Sequence, residues 1–85
     1  MSDIIIYTTP VCPYCVRAKD LLKRKGHSDY TEIDITKSPG AMKEMLAKSG
    51  GRKTVPQIFI NDTHVGGSDD LYALESAGKL DALLG

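Results

Sequence analysis

Short apolar runs alternate along the chain with segments of helical periodicity. The β-branched run from Asp3 to Thr8 predicts a buried first strand. The segment from Pro13 to about Lys25 is rich in helix formers and is followed by Gly26, which predicts a first helix. The expected apolar face of that helix consists of Cys15, Ala18, Leu21 and Leu22. Alternation from Tyr30 to Ile35 predicts a second strand, so we expect a parallel βαβ unit with a right-handed crossover.

A second helix is predicted between this unit and the next apolar run. Ser38 and Pro39 are suited to be its cap and its first residue, and the helix is expected to reach about Lys48. Two glycines then end it. Its expected inward-facing residues are Met42, Met45 and Leu46.

The last third of the chain predicts a hairpin followed by a third helix. Pro56 opens an apolar strand that reaches Ile60, and Asn61-Asp62 is a hairpin-type turn. The chain is expected to return as an antiparallel strand over Thr63 to Val65. Ser68 is suited to cap a helix from about Asp69 to Ser76. Candidate inward residues of this helix and of a short amphipathic tail are Leu71, Tyr72, Leu74, Leu80, Leu83 and Leu84.

Both cysteines of the chain lie at the predicted junction of the first strand and the first helix. Pro13 fits the first helical position, because its missing N–H costs nothing there, and Cys12 is left as the N-cap. Unpaired backbone N–H groups and the positive end of the helix dipole favour a thiolate at that position. Cys15 lies three residues on, about 5–6 Å away on the same helical face. We therefore expect Cys12 to be the nucleophile and Cys15 the resolving thiol of a redox pair.

Three other interpretations of the cysteine pair are less favoured. Structural zinc needs four ligands, and His27 and His64 are too far apart in sequence for a finger-type site, so no metal site is expected. A structural disulfide would enclose only two residues and would stabilise very little. Buried, inert cysteines would not require the proline or the position at a helix start.

Composition limits the possible partners and locations. The chain has 85 residues, so we expect a single domain over residues 1–85. Eleven basic and eleven acidic residues cancel, which argues against nucleic acid or an anionic membrane as a partner. No apolar run approaches the roughly 20 residues of a membrane span, and no secretory signal is apparent. A cytoplasmic location is expected, where a Cys-x-x-Cys pair is more often catalytic than structural.

Three motifs in combination resemble one family. Cys12-Pro13-Tyr14-Cys15 follows a Tyr-Thr strand end, Thr54-Val55-Pro56 opens the third strand, and Gly66-Gly67-Ser68-Asp69-Asp70 precedes the last full helix. With these motifs the chain resembles the bacterial dithiol glutaredoxins over nearly its whole length. The predicted element order, β-α-β-α-β-β-α, matches a minimal thioredoxin-like α/β fold, with a mixed four-stranded sheet and helices on both faces.

The resemblance implies a glutathione-dependent thiol–disulfide oxidoreductase that takes part in cell redox homeostasis and electron transport. Glutathione would be its co-substrate, and no cofactor would be bound permanently. The implied protein partners are glutathionylated or disulfide-containing proteins, with ribonucleotide reductase as one by family analogy. The resemblance also implies a monomer.

The resemblance also implies a glutathione site. Glutaredoxins carry a cis-proline at the position of Pro56, which would leave the N–H and C=O of Val55 free to pair with an extended thiol peptide. Backbone N–H groups at the start of the last helix would bind the α-carboxylate of the γ-glutamyl group, and Asp70 its α-amine. Without the other motifs, the acids at this helix start would indicate ordinary capping. The implied glutathione-binding residues are Tyr14, Thr54, Val55, Pro56, Gly67, Ser68, Asp69 and Asp70.

The sequence departs from the glutaredoxin pattern at two positions. Thr9 stands where many members have a lysine that lowers the pKa of the nucleophile and contacts the glycyl carboxylate of glutathione. Arg52 and Lys53 are candidates to replace that contact. Ser68 stands where several relatives have a third cysteine, so oxidative regulation at that position is not expected.

Two other functions remain open. The first is a binding module in which two Cys12 thiolates and two glutathiones hold an iron–sulfur cluster between subunits. Cluster-carrying members mostly have glycine in place of Pro13, and anaerobic purification would reveal a brown protein. The second is a thioredoxin-like disulfide reductase, which would require Cys15 in every reaction. Thioredoxins typically have an additional strand and helix before the active site and a tryptophan beside it, and this chain has no tryptophan.

Overall fold

A computed structural model describes residues 3–84 of the chain. The predicted order β-α-β-α-β-β-α is confirmed, and the tail adds a short fourth helix. The elements are β1 (Ile4–Thr8), α1 (Pro13–Arg24), β2 (Thr31–Asp34), α2 (Ala41–Lys48), β3 (Gln57–Ile60), β4 (Thr63–Gly66), α3 (Ser68–Ser76) and α4 (Leu80–Leu84). None of these helices is long and apolar enough to cross a membrane.

The four strands form one mixed sheet in the order β2-β1-β3-β4. β1 and β2 are parallel, as expected for a βαβ unit. β3 runs antiparallel to β1, with Ile6 opposite Ile58, and β4 runs antiparallel to β3. The thioredoxin-like fold class implied by the sequence is therefore confirmed. The cysteine pair follows the C-terminal end of β1, which lies beside the start of β3 and the end of β4.

Alternation along β1 divides the apolar side chains between two faces of the sheet. Ile4 and Ile6 pack with α1, α3 and α4 on one face, together with Ile58 and Ile60 of β3. Tyr7 points to the other face, where the buried residues Met45 and Phe59 pack beside it. The first face carries most of the core, since α1, α3 and α4 cover it, whereas α2 is the helix over the second face in the described part of the chain.

The start and orientation of α2 differ from the sequence prediction. Ser38 and Pro39 belong to the preceding turn, and the N-cap is Gly40, whose φ of +80° favours glycine. Because the helix begins at Ala41, that residue and Met45, four positions later, face the sheet and are buried. Met42 was predicted to face inward, but it is rotated away from the sheet and is 37% exposed.

The ends of α3 and of the tail also refine the prediction. Gly67 is the N-cap of α3, so Ser68 is its first helical residue and not its cap. Leu71 is fully buried, as expected, while Tyr72 and Leu74 are partly buried against the same cluster. The predicted amphipathic tail forms α4, with Leu80 and Leu84 buried in the main core.

Candidate active site

Cys12 is the N-cap of α1, as the sequence predicted. Its backbone is extended, with φ of −149° and ψ of 96°, and its Sγ accepts a hydrogen bond of 3.1 Å from the backbone N–H of Cys15. Pro13 occupies the first position of the helix. A sulfur at this position lies next to the unpaired backbone N–H groups of the first turn and the positive end of the helix dipole. Both stabilise a negative charge on the sulfur.

Cys12 and Cys15 form a disulfide in this structure, with their Cα atoms 5.2 Å apart. Their surroundings differ, because Cys15 is only 1% exposed and belongs to the buried face of α1, whereas Cys12 is partly exposed. An incoming thiol or disulfide therefore reaches the sulfur of Cys12 more readily than that of Cys15. This difference matches the expected roles of nucleophile and resolving thiol.

Exposed apolar side chains surround the cysteine pair. Val11 is 90% exposed, Tyr14 55% and Val16 51%. Nothing in the described chain covers these side chains, although each is large and apolar. They form an apolar rim around Cys12. A molecule that packs against this rim would exclude water from the reacting sulfur.

A groove of about 460 Å³ opens beside this rim and brings together every predicted glutathione-binding residue. The peptide bond between Val55 and Pro56 is cis, as the family resemblance implied. Pro56 is buried, whereas Thr54, two residues earlier, is exposed. The lining residues are Tyr14, Arg52, Thr54, Val55, Pro56, Gly67, Ser68, Asp69 and Asp70.

Asp70 is fixed at the α3 end of this groove. Its Oδ2 accepts a 2.9 Å hydrogen bond from the backbone N–H of Gly67 and lies 3.4 Å from both terminal nitrogens of Arg52. Asp70 thus caps the helix start, which is half of a capping box, because Gly67 has no side chain to return the bond. The side chains of Asp70 and Arg52 are 48% and 45% exposed, so this ion pair is solvated and easily exchanged for a ligand.

The hydroxyl of Ser68 does not serve as the predicted cap. It is buried, and within residues 3–84 it has no hydrogen-bond partner. The capping role has passed to Asp70, because Gly67 precedes the helix in an extended conformation and leaves Ser68 inside its first turn. The first backbone N–H groups of a helix have no partner within it, and Ser68 and Asp69, which carry two of them, line the groove.

Two residues of this region gain importance from the structure. Arg52, named in the sequence analysis only as a candidate beside Lys53, lines the groove, while Lys53 is not among the lining residues. Gln57 was assigned no role, yet its side chain is fully buried and donates to the carbonyl and the hydroxyl of Thr54, at 3.0 Å and 3.1 Å. The available signal was a glutamine in an otherwise apolar strand, which needs a hydrogen-bond partner once buried.

The described residues form no cluster of three or more histidine, cysteine, aspartate or glutamate side chains able to hold a metal ion. His64 contacts the ring of Phe59 and the side chain of Gln57. A dithiol pair at a helix start, next to an open groove lined by two anionic side chains, Asp69 and Asp70, and one cationic side chain, Arg52, is suited to thiol–disulfide exchange with a zwitterionic thiol peptide.

Comparisons with known proteins agree with this geometry. The sequence model of the Glutaredoxin family matches residues 4–65. The chain is 60% identical over 84 residues to a glutaredoxin of Pseudomonas aeruginosa, covering 99% of this chain and 98% of that protein.

Solved structures give the same result. The solution structure of a glutaredoxin from Brucella melitensis is 61% identical, with a TM-score of 0.81, covering 96% of this chain and 87% of that one. A buckwheat glutaredoxin–glutathione complex is 28% identical, with a TM-score of 0.86, covering 98% and 76% of the two chains. The family match, the shared fold and the cysteine pair lead to one conclusion: this chain belongs to the glutaredoxin family and is a glutathione-dependent thiol–disulfide oxidoreductase.

Proposed function

We propose that Cys12 is the nucleophile that takes glutathione from protein–glutathione mixed disulfides. The Cys12 thiolate attacks the glutathione sulfur, a new disulfide forms between Cys12 and glutathione, and the protein thiolate leaves and takes up a proton. A second glutathione, as thiolate, then attacks that disulfide, releases oxidised glutathione and restores the Cys12 thiolate. The observation that carries this proposal is the 3.1 Å hydrogen bond from the Cys15 N–H to Sγ of Cys12, the more exposed sulfur of the pair.

The groove beside Cys12 is the proposed glutathione site. The N–H and C=O of Val55 pair with the cysteinyl backbone of glutathione, and Tyr14 forms a flat wall beside it. At the far end, the first N–H groups of α3 bind the γ-glutamyl carboxylate, and Asp70 binds the ammonium group. Arg52 exchanges its ion pair with Asp70 for the glycyl carboxylate when glutathione binds, a role that belongs in many glutaredoxins to a lysine at the position of Thr9. Arg52 is favoured over Lys53 because it lines the groove.

Further properties belong to the same proposal. Cys15 resolves the intermediate when the substrate is a protein disulfide, and ribonucleotide reductase is one such substrate by family analogy. Residues 1–85 act as one domain and as a monomer in the cytoplasm, in electron transport from glutathione. No cofactor is bound permanently, and an anaerobically purified protein without visible absorbance would support this. A brown protein would instead favour the cluster-binding alternative.

Turnover of a glutathionylated peptide with glutathione as reductant tests the cysteine roles. Cys12→Ser is expected to abolish activity, whereas Cys15→Ser retains it, because the resolving thiol is not needed when glutathione attacks the intermediate. Residual Cys12→Ser activity would contradict the nucleophile assignment. Loss of activity in Cys15→Ser would point to an obligatory dithiol route of the thioredoxin type.

Asp70→Asn tests the ammonium subsite, since asparagine can still accept from the Gly67 N–H but carries no charge. We expect the KM for glutathione to rise about tenfold, because a charge-assisted hydrogen bond is removed, while the maximal rate stays close to that of the unaltered protein. Asp20→Asn, a change on α1 outside the groove, serves as the control. Equal KM values for the unaltered protein, Asp70→Asn and Asp20→Asn would show that Asp70 is not part of the glutathione site.

A further inference from the structure

A chain of side-chain hydrogen bonds connects β4 to the loop that precedes the cis-proline. His64 Nε2 lies 2.7 Å from Oε1 of Gln57. Nε2 of Gln57 lies 3.0 Å from the carbonyl oxygen of Thr54 and 3.1 Å from its hydroxyl. Gln57 is fully buried, so these bonds satisfy an amide that would otherwise be costly to place in the core.

The chemistry of these groups fixes the direction of every bond. The carbonyl of Thr54 can only accept, so the nitrogen of the Gln57 amide must face it. The amide oxygen of Gln57 therefore faces His64, and since that oxygen can only accept, Nε2 of His64 must carry a hydrogen. The sequence of donors and acceptors thus runs in one direction, from His64 through Gln57 to Thr54.

The sheet holds the first two members of this chain in place. Phe59 and His64 are paired across β3 and β4, so Gln57 is the diagonal neighbour of His64 on the same face. The rings of Phe59 and His64 stack, with centroids 4.9 Å apart and planes at 28°. On its other side Gln57 is paired with the buried Tyr7 of β1. Gln57 is therefore held by the pairing of its backbone with β1 on one side and by the hydrogen bond of its amide oxygen to His64 on the other.

Other contacts hold the start of the segment that receives these bonds, where the Gly51 N–H donates to the carbonyl of Leu46 at 2.8 Å and Arg52 pairs with Asp70. Residues 51–56 form neither helix nor strand, and residues 51–54 are exposed. Ser49 supports the start of this segment, because its hydroxyl donates to the carbonyl of Arg52 and accepts from the Arg52 N–H, both at 3.2 Å. Gln57 supports its other end at Thr54, immediately before Val55.

We propose that Gln57 and His64 are positioning residues for the glutathione site. Gln57 holds the carbonyl of Thr54, and His64 holds the amide of Gln57, so that Val55 presents its N–H and C=O to the substrate in a fixed orientation. This inference rests on the proposed glutathione groove. Neither residue touches Cys12 or the reacting atoms, so the effect falls on substrate binding and not on the reactivity of the thiol.

The test measures KM and maximal rate for a glutathionylated peptide, together with the rate at which iodoacetamide alkylates Cys12 in the reduced protein. Gln57→Met keeps the volume but removes both bonds to Thr54, so we expect KM to rise about fivefold with alkylation unchanged. Gln57→Glu retains an acceptor for His64 but removes the donor to Thr54, and is expected to raise KM as well. It serves as the second variant if Gln57→Met folds poorly.

His64 tests whether the effect passes through Gln57. His64→Phe keeps an aromatic ring against Phe59 but has no donor, and we expect a smaller rise in KM. His64→Gln restores an N–H donor and should return KM toward the unaltered value. The double variant Gln57→Met/His64→Phe should have the KM of Gln57→Met alone, because His64 acts only through that amide.

Ile60→Val, a buried change on the same strand, controls for a general loss of stability and should leave KM unchanged. An unchanged KM in both Gln57 variants, an equal rise in Ile60→Val, or additive effects in the double variant would overturn the inference. If the unaltered protein shows no Cys12-dependent turnover of the peptide, the proposed function fails as well. Turnover with an unaffected Gln57 series would overturn the positioning role alone.

Discussion

Gly66 is the residue on which the geometry of the α3 end of the groove depends most directly. Its φ of +114° lies in a backbone region that residues with a side chain rarely adopt. A Cβ at this position would overlap the carboxylate of Asp70 and would lie 2.8 Å from Nη1 of Arg52. A glycine here therefore allows the Asp70 carboxylate to approach the backbone and accept from the Gly67 N–H.

Gly66→Ala is expected to lower the free energy of unfolding by about 1–3 kcal/mol through backbone strain. It should also raise the KM for glutathione, because Asp70 must move to make room for the methyl group. Gly78→Ala is a matched control, since its φ is +71° but no atom lies within 4 Å of the added Cβ. Denaturant unfolding and steady-state kinetics should show a stability loss in both variants and a KM change only in Gly66→Ala. A KM change of the same size in both variants would refute the steric argument.

At the scale of elements, a hydrogen bond from the buried Tyr7 to the exposed Glu44 connects β1 to α2. The Tyr7 hydroxyl donates to Oε1 of Glu44. Burial of the ring, followed by that hydrogen bond and the charge of Glu44, raises the pKa of Tyr7 to about 12. The same hydrogen bond is the main cause that lowers the pKa of the Glu44 carboxyl. Folding therefore favours the neutral phenol and the ionised carboxylate.

The raised pKa of Tyr7 predicts a loss of stability in alkali. An unfolded tyrosine loses its proton near pH 10, whereas the folded protein holds this one until about pH 12. The stabilisation is thus complete below about pH 10 and is lost as the pH rises toward 12. Lys25, whose pKa is raised by hydrogen bonds to Asp81 and Glu75, adds a loss of the same sign. The contribution of Lys25 is the same in the Tyr7→Phe variant, so it cancels when the unfolding free energy of that variant is subtracted from that of the unaltered protein at each pH.

Urea unfolding of the oxidised protein and of Tyr7→Phe between pH 8 and pH 11 measures the effect. The stability difference between the two proteins should be constant up to about pH 10 and should then shrink, since Tyr7→Phe has no phenol to titrate. A difference that stays constant to pH 11 would contradict the raised pKa.

At the scale of the whole molecule, the active site and the tail lie at opposite ends of the sheet. Cys12 follows the C-terminal end of β1. The tail contacts the other end of the sheet at Asn61. The backbone N–H of Asn61 donates to the carbonyl of Asp3, and the side-chain amide of Asn61 donates to the carbonyl of Leu83 at 3.0 Å. Leu80 is fully buried in the larger core, and Lys25 binds Asp81 at 2.8 Å. The tail therefore closes the core without contacting the groove.

Leu80→Ala should separate stability from activity. Removal of a fully buried leucine side chain is expected to cost about 2–5 kcal/mol of unfolding free energy. Turnover measured at a temperature well below the thermal unfolding midpoint should not change, because α4 lines no part of the groove. Lys79→Ala, an exposed neighbour, should alter stability by less than about 0.5 kcal/mol. A marked KM change in folded Leu80→Ala would imply coupling between the tail and the site.

Much of the fold could be predicted from the sequence because its signals are local. Proline after Cys12, the isoleucine run of β1 and the leucines of α1 each specify an element through neighbours a few positions away. The start of α2 could not be predicted in this way. Ser38-Pro39 is a good helix start by local preference, but the chain makes a turn there and reaches a left-handed Gly40, and that shift exposes Met42.

The sequence by itself determined the cysteine pair at a helix start, the order of elements and, through family motifs, the residues of the groove. Only the tertiary structure decided which partners these residues have. It assigned the cap of α3 to Asp70, left the Ser68 hydroxyl buried without a partner in residues 3–84, and connected Thr54 to His64 through Gln57. Gly67 and Asp70 are only three positions apart, as are Thr54 and Gln57, but local preference also allows other partners, such as the Ser68 hydroxyl as the cap. The physical reason is that the path by which the chain enters α3 and β3 selects among these partners, and Gln57 meets His64 only once β3 and β4 have paired.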